Sequence, residues 1–196
     1  ANQPVIDINI SILKLRMMPN PNILKINDNI DVTVSDNFQI GNSATVDVGN
    51  GILHVNNNVN IGGEILINFG ILNFKSSFNF TGGGSIINNY GTINIGDSTS
   101  VFRLGGSNTI TSKEGEINVY GDVQFFGSGK LDARNSSINV YGNVEITGAA
   151  DLQLDSGNFY VEGNMIASGS GVIEAGHSQI IIAGELWQVA NDATFN

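Results

Sequence analysis

The chain has 196 residues, of which 25 are glycine and none is cysteine, and its formal net charge is −10 at pH 7. The acidic excess argues against a nucleic-acid partner, because cationic side chains dominate the binding of phosphate backbones. The absence of cysteine excludes disulfides, thiolate metal sites and cysteine nucleophiles, and no apolar run is long enough for a membrane-spanning helix.

Residues 1–29 form a first region that lacks the repeat found in the rest of the chain. Ile6, Ile8, Ile10 and Ile12 alternate with polar residues, which predicts one long strand. A proline-containing break at 17–22 follows. Two interpretations stay open for this region: a cap that covers the first coil, or an assembly strand that docks on another subunit. The chain begins without methionine, which favours a processed, secreted protein, although a truncated chain would look the same.

Residues 30–196 form a second region that consists of repeats. The sequence EINVYGDV at 116–123 returns as SINVYGNV at 137–144, and related text follows at 158–165 and 179–186. We assign eight units that start at residues 30, 51, 70, 91, 115, 136, 157 and 178. The usual spacing is therefore about 21 residues, with one shorter unit that starts at 51 and one longer unit that starts at 91.

Each unit contains three short bursts in which every second residue is apolar, separated by Gly, Asn and Asp. Such alternation is typical of strands with one buried face, and the separating residues tolerate tight corners. Three strands and three corners in each repeat predict one coil of a solenoid. We therefore expect an all-β, single-domain parallel β-solenoid of about eight coils. An antiparallel sandwich is the rival, but hairpins have no reason to keep a fixed period.

The predicted coil interior follows from the repeat register. One stack of inward residues contains Val119, Val140 and Val161, whereas Asn118 and Asn139 should point outward. In the long unit, we place the three extra residues around 103–107, with Ile110 turned inward. In the short unit, Ile65 and Ile67 should take the corresponding inward positions.

The last coil has no obvious polar cap. Ile180, Ile182 and Leu186 occupy inward positions there, and Trp187 falls on an outward position as either an end plug or a contact to a partner. The first region carries a net charge of +1 and the second −11. This asymmetry favours head-to-tail contact between copies. The candidate assembly residues are Ile6, Ile8, Ile10, Ile12, Ile180, Ile182, Leu186 and Trp187.

Identical polar residues also recur in outward columns. Asn73, Asn94, Asn118 and Asn139 share one position, and Tyr120 and Tyr141 share another. Stacked amides can bond along a ladder. The columns are either structural or a flat face that binds a glycan or another surface.

The sequence offers little material for catalysis. His54 and His177 are about five coils apart in the register and cannot share a site. Asp97 and Asp122 occupy neighbouring corners, and Asp132 and Glu174 share an outward position two coils apart. We interpret these carboxylates as solvated corner residues and predict no catalytic, cofactor-binding or metal-binding residue, and thus no enzyme.

The recurring Gly-x-Ile-Asn-Val-Tyr-Gly-Asp/Asn-Val text resembles the coils of bacterial surface β-solenoids, such as filamentous-haemagglutinin-type adhesins and autotransporter passengers. The resemblance covers residues 30–196 and implies secretion to the cell surface and an adhesive or scaffold role, but it transfers no functional residue. We expect a non-enzymatic, self-assembling subunit of an extracellular filament, matrix or adhesive stalk, present as a head-to-tail homopolymer. A glycan-binding adhesin module is the first alternative, and a carbohydrate-active β-helix enzyme is the second.

Overall fold

A computed structural model describes residues 3–19, 22–80, 82–188 and 194–195. Every regular element in these residues is a strand, and neighbouring strands run parallel, one coil of the repeat apart. The predicted parallel β-solenoid is confirmed. Across the described residues we find no helix long and apolar enough to cross a membrane.

The chain visits three sheets in turn. Sheet A consists, in spatial order, of β1 (Val5–Ile6), β3 (Ile23–Ile26), β5 (Thr45–Gly49), β8 (Glu64–Ile67), β11 (Ser85–Asn88), β14 (Thr109–Ser112), β17 (Lys130–Asp132), β20 (Asp151–Gln153), β23 (Val172–Glu174) and β26 (Thr194–Phe195). Sheet B consists of β2 (Ile10–Met17), β4 (Asp31–Ile40), β6 (Ile52–Val55), β9 (Ile71–Phe74), β12 (Thr92–Ile95), β15 (Glu116–Val119), β18 (Ser137–Val140), β21 (Asn158–Val161) and β24 (Gln179–Ile182), with β7 (Val59–Ile61) paired to the second half of β4. Sheet C consists of β10 (Phe78–Phe80), β13 (Val101–Leu104), β16 (Asp122–Phe125), β19 (Val144–Ile146), β22 (Met165–Ala167) and β25 (Leu186–Gln188).

The core is a column of apolar side chains that runs along the inside of the stack. Val119, Val140 and Val161 are in register in consecutive turns and are at most 3% exposed, as the repeat predicts. Ile65, Ile67 and Ile110 are also buried. Burial stabilises each such aliphatic side chain by about 1.5–3 kcal/mol relative to exposure. Because the apolar residues alternate with polar ones, each strand has one face that is buried in the core and one that faces solvent.

A polar cluster interrupts the apolar column inside sheet A. Asn88 is fully buried; its Nδ2 donates to Gly91 O at 3.0 Å and to Ser112 Oγ at 3.2 Å, and its Oδ1 accepts from Gly91 N at 2.9 Å. The Ser136 hydroxyl donates to Ser112 Oγ at 2.9 Å. These bonds satisfy groups that would otherwise be buried without partners.

The first region adds a turn to the stack, which therefore has about nine turns instead of the predicted eight. Ile10 and Ile12 are in register with Val32 and Val34. A bulge in β4, where Ser35 and Asp36 lie opposite Leu13 alone, separates the part of β2 in sheet B from the part on the face of sheet C. The single long strand predicted for Ile6–Ile12 is wrong, since β1 ends at Ile6 and β2 begins at Ile10. The apolar alternation continues across a corner, where the chain turns from sheet A to sheet B. The predicted break at 17–22 includes residues 20–21, which lie outside the described residues.

The three extra residues of the long unit lie at 96–100, and not at 103–107 as the sequence suggested. Thr92 pairs with Ile71, which is 21 residues earlier, as in a regular repeat. Phe102 pairs with Phe78, which is 24 residues earlier, so the three extra residues lie between Thr92 and Phe102. The insertion is therefore the corner between β12 and β13. Turn-forming residues occur at both places, so turn composition alone does not distinguish them.

Candidate functional site

Within the described residues, seven of the eleven exposed large apolar side chains belong to the first and last turns of the rod. Apart from two stacked aromatic pairs in the middle coils, the exposed large apolar side chains in the part of the chain that the structure describes are Val5, Ile8, Leu13, Met18, Ile181, Leu186 and Trp187. The first four belong to the first turn, residues 5–18, and the others to the last turn, residues 179–188. These side chains are candidates for contact with a partner.

In the first turn, the predicted assembly residues divide between the core and the surface. Ile6, Ile10 and Ile12 are half-buried and pack against the core of their own chain. Ile8 lies at the corner between β1 and β2 and is 63% exposed. The structure therefore brings three of the four isoleucines onto the stack, and the docking of this region on another subunit stays a prediction.

In the last turn, the inward positions are incompletely covered. Ile180 and Ile182 are in register with Phe159 and Val161 but are only half-buried. Leu186 follows the buried Met165 in register and is 51% exposed.

Trp187 faces outward, where it follows Ile166 in register and is 55% exposed. Its indole N–H donates to Glu185 Oε2 at 2.7 Å. The side chain therefore lies on the rod surface, available to a partner, rather than plugging the interior.

The carboxylates of Asp97 and Asp122 accept hydrogen bonds at corners of the coil. Asp97 Oδ1 accepts hydrogen bonds from Thr99 N at 2.9 Å, Thr99 Oγ1 at 2.8 Å and Ser100 Oγ at 2.9 Å. These bonds, with the Thr99 hydroxyl foremost, hold the pKa of the Asp97 carboxyl below its ordinary value. Asp122 is in register with Val101 rather than with Asp97, and its Oδ1 accepts from Asn143 N at 2.7 Å.

The remaining titratable candidates are dispersed. His54 lies in β6, whereas His177 precedes β24 at the far end of the stack. Asp132 and Glu174 share an outward column of sheet A, but Gln153 separates them, and Arg134 Nε donates to Asp132 Oδ1 at 2.9 Å. Among the described residues, no group of three or more His, Asp or Glu side chains is placed to hold a metal ion.

The outward asparagine column of sheet B forms a continuous ladder, as the repeat predicted. In each step an Nδ2 donates to the Oδ1 of the preceding coil: Asn94 to Asn73 at 2.8 Å, Asn118 to Asn94 at 3.1 Å and Asn139 to Asn118 at 2.9 Å. Asn118, which bonds to both neighbouring amides of the ladder, is only 7% exposed.

The ladder ends at a histidine. Asn73 Nδ2 lies 3.1 Å from His54 Nδ1, and His54 Nε2 lies 3.3 Å from Asp31 Oδ1. An amide nitrogen can only donate, so His54 Nδ1 is the acceptor in the contact with Asn73.

A notch opens beside this ladder at Gly96, in the long unit. It has a volume of about 250 Å³ and is bordered by His54, Asn56, Asn73, Phe74, Lys75, Asn94, Gly96 and Tyr120. We call this set the Gly96 notch. Gly96 has a positive φ of 72°, and a Cβ there would lie 2.5 Å from the Ser100 Cβ. Its backbone therefore favours glycine, and Gly96 contributes only backbone to the border of the notch.

Tyr120 forms one wall of the notch. Its ring stacks on that of Tyr141 in the next coil, with centroids 5.3 Å apart and planes 6° apart. Both rings are more than 40% exposed. Sequence reasoning found the tyrosine column and the asparagine column but not the notch, because it placed the insertion at the wrong corner. The sequence does contain a signal for the correct place. Phe102 and Leu104 have the same two-residue spacing as Val123 and Phe125 in the next coil, so the strand itself is regular and the insertion must precede Val101.

In comparisons with known proteins, no protein-family model, no curated protein and no solved structure matches the chain.

Proposed function

We propose that this chain is a non-enzymatic structural subunit that assembles head to tail, the last turn of one copy docking on the first turn of the next. The observation that carries the proposal is the concentration of exposed apolar side chains in these two turns. Burying them against a second copy removes them from water and supplies the half-buried Ile180 and Ile182 with a further layer.

The strand layout of the two ends supports the same contact. β4 spans two faces of the coil and pairs with both β6 and β7 along one edge. β2 spans the same two faces and pairs with the opposite edge of β4. In the proposed contact, β24 and β25 of a second copy pair with the free edge of β2, one on each of its two faces. This strand addition continues sheets B and C with parallel strands.

Charge favours opposite ends over like ends. The first region has a net charge of +1, through Lys14, Arg16 and Lys25, whereas the rest of the chain carries −11. The attraction is weakened by salt. A heterologous contact of this kind does not close on itself, and it therefore builds a fibre.

A secreted or cell-surface filament, matrix or adhesive stalk is the setting that we propose for such a fibre. The resemblance of the repeat text to bacterial surface β-solenoids supports this setting. The tethering of Asp97 and Asp122 in corners and the wide separation of His54 from His177 support a non-enzymatic role.

Charged substitutions at the two ends test the proposal. Sedimentation velocity of the wild-type chain should show concentration-dependent polymers. The double variant Leu186→Lys, Trp187→Lys should sediment as a monomer with an unchanged β-sheet spectrum. Tyr141→Lys, which changes an exposed aromatic residue in the middle of the rod, is the matched control and should still polymerise. A wild-type chain that stays monomeric at high concentration, or end variants that polymerise like the wild type, would overturn the proposal.

A further inference from the structure

We infer that the Gly96 notch is a carbohydrate-binding site that takes one pyranose ring against the free face of Tyr120. The site lies on the side of the rod, so the inference does not rest on end-to-end assembly. The insertion at 96–100 adds three residues to one corner of the coil, and the notch lies where this corner departs from the regular one.

The tyrosine pair supplies an apolar platform. One face of the Tyr120 ring lies against Tyr141, and the other face borders the notch, because the equivalent position in the preceding coil is Gly96. A Tyr ring offers a rigid apolar face and a polar hydroxyl at its tip. The C–H face of a pyranose is apolar and its rim is polar, so the ring and the sugar are complementary in shape and polarity.

The amide ladder supplies polar groups at the floor of the notch. Each asparagine amide has two N–H donors and an oxygen with two lone pairs. Along the ladder, Asn73 and Asn94 each donate once and accept once. One N–H and one lone pair of each amide thus remain for adjacent hydroxyls of a sugar, and the ladder holds the amides in fixed orientations before any ligand arrives.

Size and charge narrow the ligand class. The volume of about 250 Å³ is below the ~300–1,000 Å³ of sites for drug-sized molecules, and it suits a single sugar ring of a longer glycan. A nucleobase could also stack on Tyr120, but the net charge of −10 opposes a phosphate backbone. Lys75 borders the notch and extends the ligand class to a sugar that carries a carboxylate.

Retention on immobilised oligosaccharides tests the inference. The panel contains neutral hexoses, N-acetylhexosamines and uronates, with single-stranded DNA as a separate probe. We expect the wild-type chain to bind at least one sugar class and Tyr120→Ala to weaken that binding about tenfold or more. Tyr120→Phe, which keeps the ring face, should retain most of the binding. Tyr90→Ala removes another exposed ring, which stacks on Phe69 elsewhere on the rod, and this variant should bind as the wild type does.

The uronate probe tests whether the notch prefers a sugar that carries a carboxylate or accepts neutral sugars as well. Lys75→Met should weaken the binding of a uronate but not of a neutral sugar. Three results would overturn the inference: no retention on any sugar, retention that Tyr120→Ala leaves unchanged, or binding to DNA alone. The double variant Leu186→Lys, Trp187→Lys should bind sugar like the wild type, so failure here is distinguishable from failure of the assembly proposal.

Discussion

The middle coils and the last turn have the same repeat but differ in how completely they are covered. Val119, Val140 and Val161 are buried between turns, whereas Ile182, which continues the same stack, is only half-buried. The strand chemistry is the same in both places, so the difference comes from the neighbouring turn. A β-solenoid coil is stable because adjacent coils cover it, and the ends of the stack are therefore where binding to a partner gains most.

The largest expected effect comes from a charge in the middle of the stack. Val140→Asp should lower the free energy of unfolding by several kcal/mol, because it buries an unpaired carboxylate. At a protein concentration too low for assembly, Ile182→Asp, which places a carboxylate in the same stack two turns later, should cost clearly less because that side chain can reach water. Denaturant unfolding of the two variants measures the contrast, and equal losses would mean that the last turn is as well covered as the middle.

The buried polar cluster of sheet A offers a second contrast within the core. Asn88→Leu should cost about 1–3 kcal/mol, since Gly91 N loses its only hydrogen-bond acceptor in the described residues and Ser112 loses a donor. Ile67→Leu, in the same column one turn earlier, keeps the volume and should cost less than about 1.5 kcal/mol. Thermal unfolding at one protein concentration checks this, and an Asn88→Leu chain as stable as the wild type would contradict the structural role of the cluster.

The outward amide ladder should contribute less than the buried cluster. Asn118→Ala removes two ladder bonds and should cost about 1 kcal/mol. A double-mutant cycle with Asn94→Ala should show a coupling energy between the two sites. Additive losses would indicate that the two amides do not support each other.

The smallest expected effect concerns pH at the inserted corner. The hydrogen bonds from Thr99 and Ser100 hold the pKa of Asp97 below its ordinary value, so the folded carboxylate binds a proton less readily than the unfolded one. Its contribution to stability is therefore fully present above the ordinary carboxyl pKa and is lost as the pH falls through the lowered folded-state pKa. The Thr99 amide resonance, followed by NMR, should shift over this acidic range. The same titration of Asp97→Asn should lack that step, and a step that persists in the variant would assign the titration to another group.

The regular coils were predictable because one physical rule governs each of their positions. An inward residue must be apolar and a corner residue must tolerate a tight turn, and both requirements recur at a constant interval from residue 116 onward. The first turn was not recognised, because the offsets between its partners vary: Val5 pairs with Lys25 but Lys14 with Asn37. Nor did alternation predict Asn88 and Ser112 inside the column, since bonds to backbone and hydroxyl groups replace apolar packing there.

The Gly96 notch could not be derived from the periodicity for a related reason. A repeat predicts what each coil shares, whereas the notch lies at a corner that carries an insertion. Tyr120 and the asparagines of the ladder were recognisable as outward columns, but only the register of β13 against β10 shows that the corner at 96–100 opens beside them.

Electron cryomicroscopy of the purified wild-type chain tests the central claim of head-to-tail stacking most directly. The account predicts unbranched fibres one solenoid wide, with a strand spacing of about 4.8 Å along the axis and a subunit repeat of about 43 Å, the height of nine turns. The density should place β24 and β25 of one subunit against β2 of the next. Discrete monomers, or fibres in which subunits associate through the sides of the rod, would contradict it.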